Sequence, residues 1–177
     1  MQAFNQFISW YFKRRYPEIE SWANLAEQKQ EQVWQQLLQS AKNTAWGRYY
    51  GYASMKTIAD YQKNVPIQTY DSLKPFIHRM LEGDKNVLWH SSVDWFAKSS
   101  GTTSDKSKFI PVSYEAIQNC HVKGAKDVFA TYCYHTPNTQ IYSGKGLVLG
   151  GSHQINTLNS KVRYGDLSAV LMQNMPR

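Results

Sequence analysis

The sequence predicts an α/β fold, and three observations carry that expectation. Helical periodicity fills the first part of the chain. Short strand-like runs then alternate with helical segments. The composition is that of a chain with a real core: 42% of the residues are apolar and 14% aromatic. At 177 residues, the chain is one domain or one piece of a larger one.

The elements follow in order. Residues 3–16 carry Phe4, Phe7, Ile8, Tyr11 and Phe12 at helical spacing, and Pro17 interrupts the run. These aromatic-rich helices are most simply read as core. Residues 18–45 read as a long helix or two stacked ones. Val33, Trp34, Leu37, Leu38 and Ala41 form one apolar stripe there, and Gly47 ends it. Trp10, Trp22, Trp34 and Trp46 recur every twelve residues, but their neighbours share no pattern. They do not make a repeat. A short helix spans about 57–63, and Val65-Pro66 is extended. Thr69 or Asp71 caps a helix with Leu73, Phe76, Ile77, Met80 and Leu81 inward, Pro75 in about its first turn and Gly83 after its end.

Strands are expected at 87–89 and 95–97, then a Ser/Thr/Gly/Lys-rich loop at 99–108 and an extended run at 109–112. Ser113 caps a helix to about Ala130, with Ala116, Ile117, Cys120, Val122 and Val128 apolar. Residues 136–145 are a loop, and 147–149 a short buried strand closed by Gly150-Gly151. Residues 166–174 are helical. The expected division is a helical region at 1–64 and an α/β region at 65–177.

Composition narrows the function classes. Two cysteines, Cys120 and Cys133, make no disulfide framework and point to a reducing, cytoplasmic setting. No apolar run reaches the roughly 18 residues of a membrane helix, and Lys13-Arg14-Arg15 follows the first apolar stretch rather than preceding it, unlike a signal peptide. The net charge is +7, but it is spread out. Residues 1–60 hold 7 bases and 5 acids, residues 61–120 hold 7 and 6, and residues 121–177 hold 6 and 2. A surplus made by missing acids is a poor nucleic-acid footprint and suits a small anion such as a nucleotide equally well.

The strongest local signal is Lys98-Ser99-Ser100-Gly101-Thr102-Thr103-Ser104-Asp105-Lys106-Ser107-Lys108, directly after a strand. Gly101 lets the backbone approach a ligand closely. Ser99, Ser100, Thr102, Thr103 and Ser104 add hydroxyl donors, consecutive small residues present amides, and Lys106 and Lys108 add charge. Composition alone fits a solvated connection between two strands as well as it fits a polyanion cradle. The spacing is not that of a P-loop, which requires Gly, four residues, then Gly-Lys-Ser/Thr. Cys120-His121 and Cys133-x-His135 lack zinc-site spacing and read as buried thiols. Gly150-Gly151-Ser152-His153-Gln154 breaks a nucleophile elbow at its last position. Lys123 and Lys126 read as a solvated face.

Ser99-Ser100-Gly101-Thr102-Thr103 followed by Lys108-Phe109-Ile110-Pro111 resembles the phosphate loop of acyl-adenylating enzymes. With its closing Lys-x-Ile-Pro, it is most similar to the GH3 acyl-acid-amido synthetase family in its bacterial form. Asn43-Thr44-Ala45-Trp46-Gly47, Val65-Pro66-Ile67 and Tyr70-Asp71-Ser72-Leu73-Lys74-Pro75-Phe76-Ile77 resemble the family's upstream segments, and Gly165-Asp166-Leu167 continues the likeness more loosely.

The resemblance implies part of a large adenylating domain and a ligase using ATP and Mg²⁺. Such an enzyme adenylates a small carboxylic acid and passes the acyl group to an amino acid, with no nucleic-acid or membrane partner. It places Ser99, Ser100, Gly101, Thr102, Thr103, Ser104 and Lys108 on the ATP phosphates. Asp105 stands where the family often has a second glycine. The family's later nucleotide motifs and its C-terminal lid are not found, so this chain is expected to be an N-terminal portion that does not complete the reaction alone. Two alternatives remain at this point: a basic, aromatic-rich binding module, or an inactive fragment.

Overall fold

The computed structural model describes residues 2–99, 107–147, 151 and 153–175. The elements are α1 (Gln2–Lys13), α2 (Tyr16–Ala41), α3 (Ala45–Tyr50), α4 (Ile58–Asn64), α5 (Tyr70–Leu81), β1 (Trp95–Lys98), β2 (Phe109–Val112), α6 (Tyr114–Ala116), a π-helical turn (Ile117–Val122), α7 (Lys123–His135), β3 (Ile155–Thr157), β4 (Arg163–Gly165) and α8 (Leu167–Asn174). They form two compact units. One comprises Met1–Glu31 and Glu115–Leu149, and the other Gln32–Tyr114 and Gly150–Arg177.

In the first unit, α1 packs along α7. Asn5 is the pin. Its side-chain amide donates to Gln140 Oε1 at 3.0 Å and to Ser143 Oγ, and its Oδ1 accepts from the Tyr142 backbone N–H at 3.2 Å. Asn5 and Ser9 are buried, while Phe4, Phe7, Trp10 and Tyr11 are each more than half exposed. This corrects the expectation that the aromatic side of the first helix is core. Hydrogen bonds to the 140–143 loop and the packing of Phe12 on Phe129 and Tyr142 fix the inward face. Pro17 does not end α1; it occupies the first turn of α2, where a missing N–H costs nothing. Arg15 is gripped by Asp127 and also bonds Glu18 at 2.9 Å. The predicted helix after Ser113 runs on to His135 and contains the π-helical turn, which widens one turn and rotates the face downstream of it. Ile117 and Val122 are buried as expected, whereas Cys120 and Val128 are exposed.

The second unit holds the sheet, with strand order β2-β1-β4-β3. β1 pairs antiparallel with β2 (Trp95↔Val112, Lys98↔Phe109) and parallel with β4 (Trp95↔Arg163, Ala97↔Gly165). β3 pairs antiparallel with β4. No alternation marks β3 and β4 in the sequence, because each is only three residues long. Phe96, Ile77, Met80, Leu81, Val87, Val93 and Val162 form the core between α5 and the sheet. Leu73 and Phe76 pack against its rim, so the predicted inner face of α5 is the observed one. Thr69 caps α5 with a reciprocal bond to Ser72, and Pro75 lies one turn deeper than expected.

Two expectations fail near α3. Gly47 does not end the early helix. α2 stops at Ala41, Thr44 caps α3, and Gly47 sits inside α3 with its N–H donating to Thr44 Oγ1 at 2.9 Å. The stop is Gly51, at φ +71°. The run 87–89 is not a strand. The carbonyls of Asn86 and Val87 accept from the Ala45 and Trp46 amides at 2.9 and 3.0 Å, so this stretch completes the amino end of α3 instead of a ladder. Residues 148 and 149 of the predicted strand at 147–149, and Gly150 after it, lie outside the described residues.

At α4 the backbone amides of Lys56 and Thr57 donate to the Asp60 carboxylate at 3.0 and 2.9 Å, holding its pKa below the ordinary carboxylate value. A depressed folded-state pKa stabilises above the unfolded value and is lost as pH falls through the folded one. We expect the Lys56 and Thr57 amides to lose hydrogen-exchange protection below the ordinary carboxylate range, and Asp60→Asn to flatten that dependence. Among the described residues no helix is long and apolar enough to cross a membrane.

Candidate functional site

The hydroxyl-rich segment connects β1 to β2, and its two ends are tied together. The Ser99 N–H donates to the Lys108 carbonyl at 2.9 Å, and the Lys108 N–H donates to Ser99 Oγ at 3.1 Å. Ser99 and Lys108, two of the residues singled out in the sequence, therefore face each other across the neck of the connection. Ser100, Gly101, Thr102, Thr103 and Ser104, with Asp105 and Lys106, lie outside the described residues.

The neck sits at the carboxyl ends of the parallel strands β1 and β4. Ligands of α/β sheets bind beyond such ends, because the loops there are not consumed by pairing. β4 leads directly through Asp166 into α8, so an amino-terminal helix end opens on the same side of the sheet. Gly151 reaches this end too: its N–H donates to Ser168 Oγ at 3.2 Å. Gly165 is the hinge of the arrangement. A Cβ on it would stand 2.7 Å from the Gln154 carbonyl oxygen and 2.9 Å from Ile155 Cδ1, so only glycine lets β4 lie this close to β3.

Lys98 and two aromatic residues join Lys108 at the neck. The Lys108 ammonium lies over the Tyr70 ring, 5.5 Å from its centroid, and the Lys98 ammonium over the Tyr164 ring at 5.8 Å. Tyr70 Oη accepts from the Phe109 N–H at 2.9 Å. Phe109 meets Tyr164 edge to face at 5.2 Å. Lys98 opens the loop string and was legible as a charge. Tyr70 and Tyr164 come from elements remote in sequence, and no local signal links them to the loop.

At this strand end the Lys108 ammonium and the Ser99 hydroxyl are groups that suit an anion such as a phosphate. Among the described residues no three carboxylate, histidine or cysteine side chains gather as metal ligands.

The fold is that of part of an acyl acid amido synthetase. It superposes on the solved structure of GH3.15 acyl acid amido synthetase with a TM-score of 0.78 at 18% identity, over 91% of this chain and 29% of that one. A second structure, AtGH3.15 acyl acid amido synthetase in complex with 2,4-DB, gives a TM-score of 0.72 at 18% identity over 84% of this chain and 26% of that one. This chain belongs to the GH3 family: the GH3 family N-terminal domain matches residues 15–176. Among curated relatives, the jasmonoyl–L-amino acid synthetase JAR4 of Nicotiana attenuata is 28% identical over 131 residues, which is 72% of this chain and 22% of that protein. The indole-3-acetic acid-amido synthetase GH3.17 of Arabidopsis thaliana is 30% identical over 103 residues, 56% of this chain and 17% of that protein. The chain thus spans about a fifth of the length of these relatives.

Proposed function

We propose that this chain supplies the ATP-binding part of a ligase that joins a small carboxylic acid to an amino acid. In the first half-reaction a carboxylate oxygen attacks the α-phosphorus of ATP, and pyrophosphate leaves. In the second, the amino acid nitrogen attacks the acyl carbonyl, AMP leaves, and an amide remains. The carrying observation is the neck. Ser99 and Lys108 close a hydroxyl-rich connection at the carboxyl ends of β1 and β4.

In this reading the α/β region 65–177 does the nucleotide work. The hydroxyls of Ser99, Ser100, Thr102, Thr103 and Ser104 donate to phosphate oxygens, the Gly101 backbone approaches them, and Lys108 offsets charge on the departing pyrophosphate. Mg²⁺, when bound, would neutralise the same developing charge. The protein would work in the cytoplasm on small molecules.

The test is equilibrium binding of ATP·Mg²⁺ to the protein and to a Lys108→Ala/Gly101→Val variant. Removing a charged donor and blocking the close approach should weaken affinity about tenfold or more. Equal affinity would remove the phosphate-loop assignment. A mixed oligonucleotide serves as competitor. If it bound with a steep salt dependence, unaffected by ATP, the binding-module alternative would hold instead.

A further inference from the structure

We infer that Tyr70 is a positioning residue for nucleotide binding, setting the Lys108 ammonium and holding the first amide of β2. The inference rests on the phosphate-loop reading above and adds a residue to it. Tyr70 does two separable things. Its hydroxyl accepts the Phe109 N–H at 2.9 Å, the first amide of β2 after the loop. Its ring carries the Lys108 ammonium 5.5 Å from the centroid.

At the neck the Ser99 N–H still bonds the Lys108 carbonyl, and side-chain oxygens take two further amides. Ser99 Oγ receives the Lys108 N–H, and Tyr70 Oη receives the Phe109 N–H. The amides of Lys108 and Phe109 are therefore held by two hydroxyls, one of Ser99 and one from α5. The ring face restricts a flexible lysine that would otherwise sample many rotamers, so less entropy is lost when an anion binds. Tyr70 can hold this position because it is itself fixed. It is the first residue of α5, immediately after the Thr69–Ser72 capping box, and it packs against the core that contains Phe96.

The experiment is a double-mutant cycle read by ATP·Mg²⁺ binding, with Tyr70→Leu, Tyr70→Phe, Lys108→Ala and the Tyr70→Leu/Lys108→Ala pair. Tyr70→Leu should weaken binding about tenfold in the otherwise unchanged protein but less than about twofold once Lys108 is gone, since coupled residues are not additive. Tyr70→Phe keeps the ring, loses the hydroxyl and should fall between the parent and Tyr70→Leu. A second readout does not depend on nucleotide. The Lys108 ε-methylene resonance should sit upfield from the ring current, stay there in Tyr70→Phe, and return to the usual lysine position in Tyr70→Leu. Equal effects of Tyr70→Leu with and without Lys108, or an unshifted Lys108 resonance, would overturn the inference while leaving the phosphate loop standing. Unchanged ATP affinity in Lys108→Ala would bring down the loop reading, and this inference with it.

Discussion

Phe96→Ala should cost about 3–5 kcal/mol of stability, the range for emptying a buried aromatic site. Phe96 is 0% exposed at the centre of β1, with Ile77, Met80, Val87, Val93 and Val162 in the same buried cluster. Sheet and helix both close on its ring, so the cavity cannot collapse without moving backbone. For a chain of this size the loss corresponds to a fall of about 10 °C in melting temperature, measurable by circular dichroism. The effect should reach the site. β1 delivers Lys98 and Ser99 to the neck, and a loosened β1 should weaken ATP·Mg²⁺ binding at temperatures where the protein is still folded. A drop of less than about 1 kcal/mol would show that the cluster is not packed as described.

Gly47→Ala should be nearly as damaging, although it adds only one methyl group. Its Cβ would lie 2.1 Å from the Ala41 carbonyl oxygen and 2.9 Å from the Ala41 carbonyl carbon. Those atoms are backbone in the turn joining α2 to α3, so no rotamer change relieves the overlap. The turn must open, which breaks the bond from the Gly47 amide to the fully buried Thr44 hydroxyl. We expect a loss of about 3 kcal/mol. Gly124→Ala is the control: nothing lies within 4 Å of a Cβ there, and the residue is inside α7. That change should stabilise by about 0.5–1 kcal/mol. Denaturant unfolding of the two variants should give opposite signs. The same sign in both would remove the steric account of Gly47.

The amino-acid order alone makes much of this molecule legible. The inner face of α5 follows from the spacing of Leu73, Ile77, Met80 and Leu81, and its start from Thr69, because periodicity and capping act within a turn or two. The loop string 98–108 and its upstream segments carry the GH3 likeness that the family match to residues 15–176 establishes. Local reading fails where the deciding partner is distant. Val87 is apolar enough for a strand, yet its carbonyl is claimed by the amide of Trp46. Asn5 is a polar residue on an aromatic helix, yet the 140–143 loop pulls it inward and turns Phe7 out.

The candidate site divides along the same line. Ser99 and Lys108 are singled out in the sequence by the loop string's resemblance to the family. That Tyr70 lies under Lys108, Tyr164 under Lys98, and Gly165 against Gln154 is decided only when β1 pairs with β4 and α5 packs on β2. The sequence by itself determined most of the helices, the Thr69 cap and the family, since each is written in neighbouring side chains. The tertiary structure alone decided which faces are buried, where the short strands pair and what surrounds the neck. Those outcomes depend on hydrogen bonds and close approaches between segments remote along the chain, which no local pattern records.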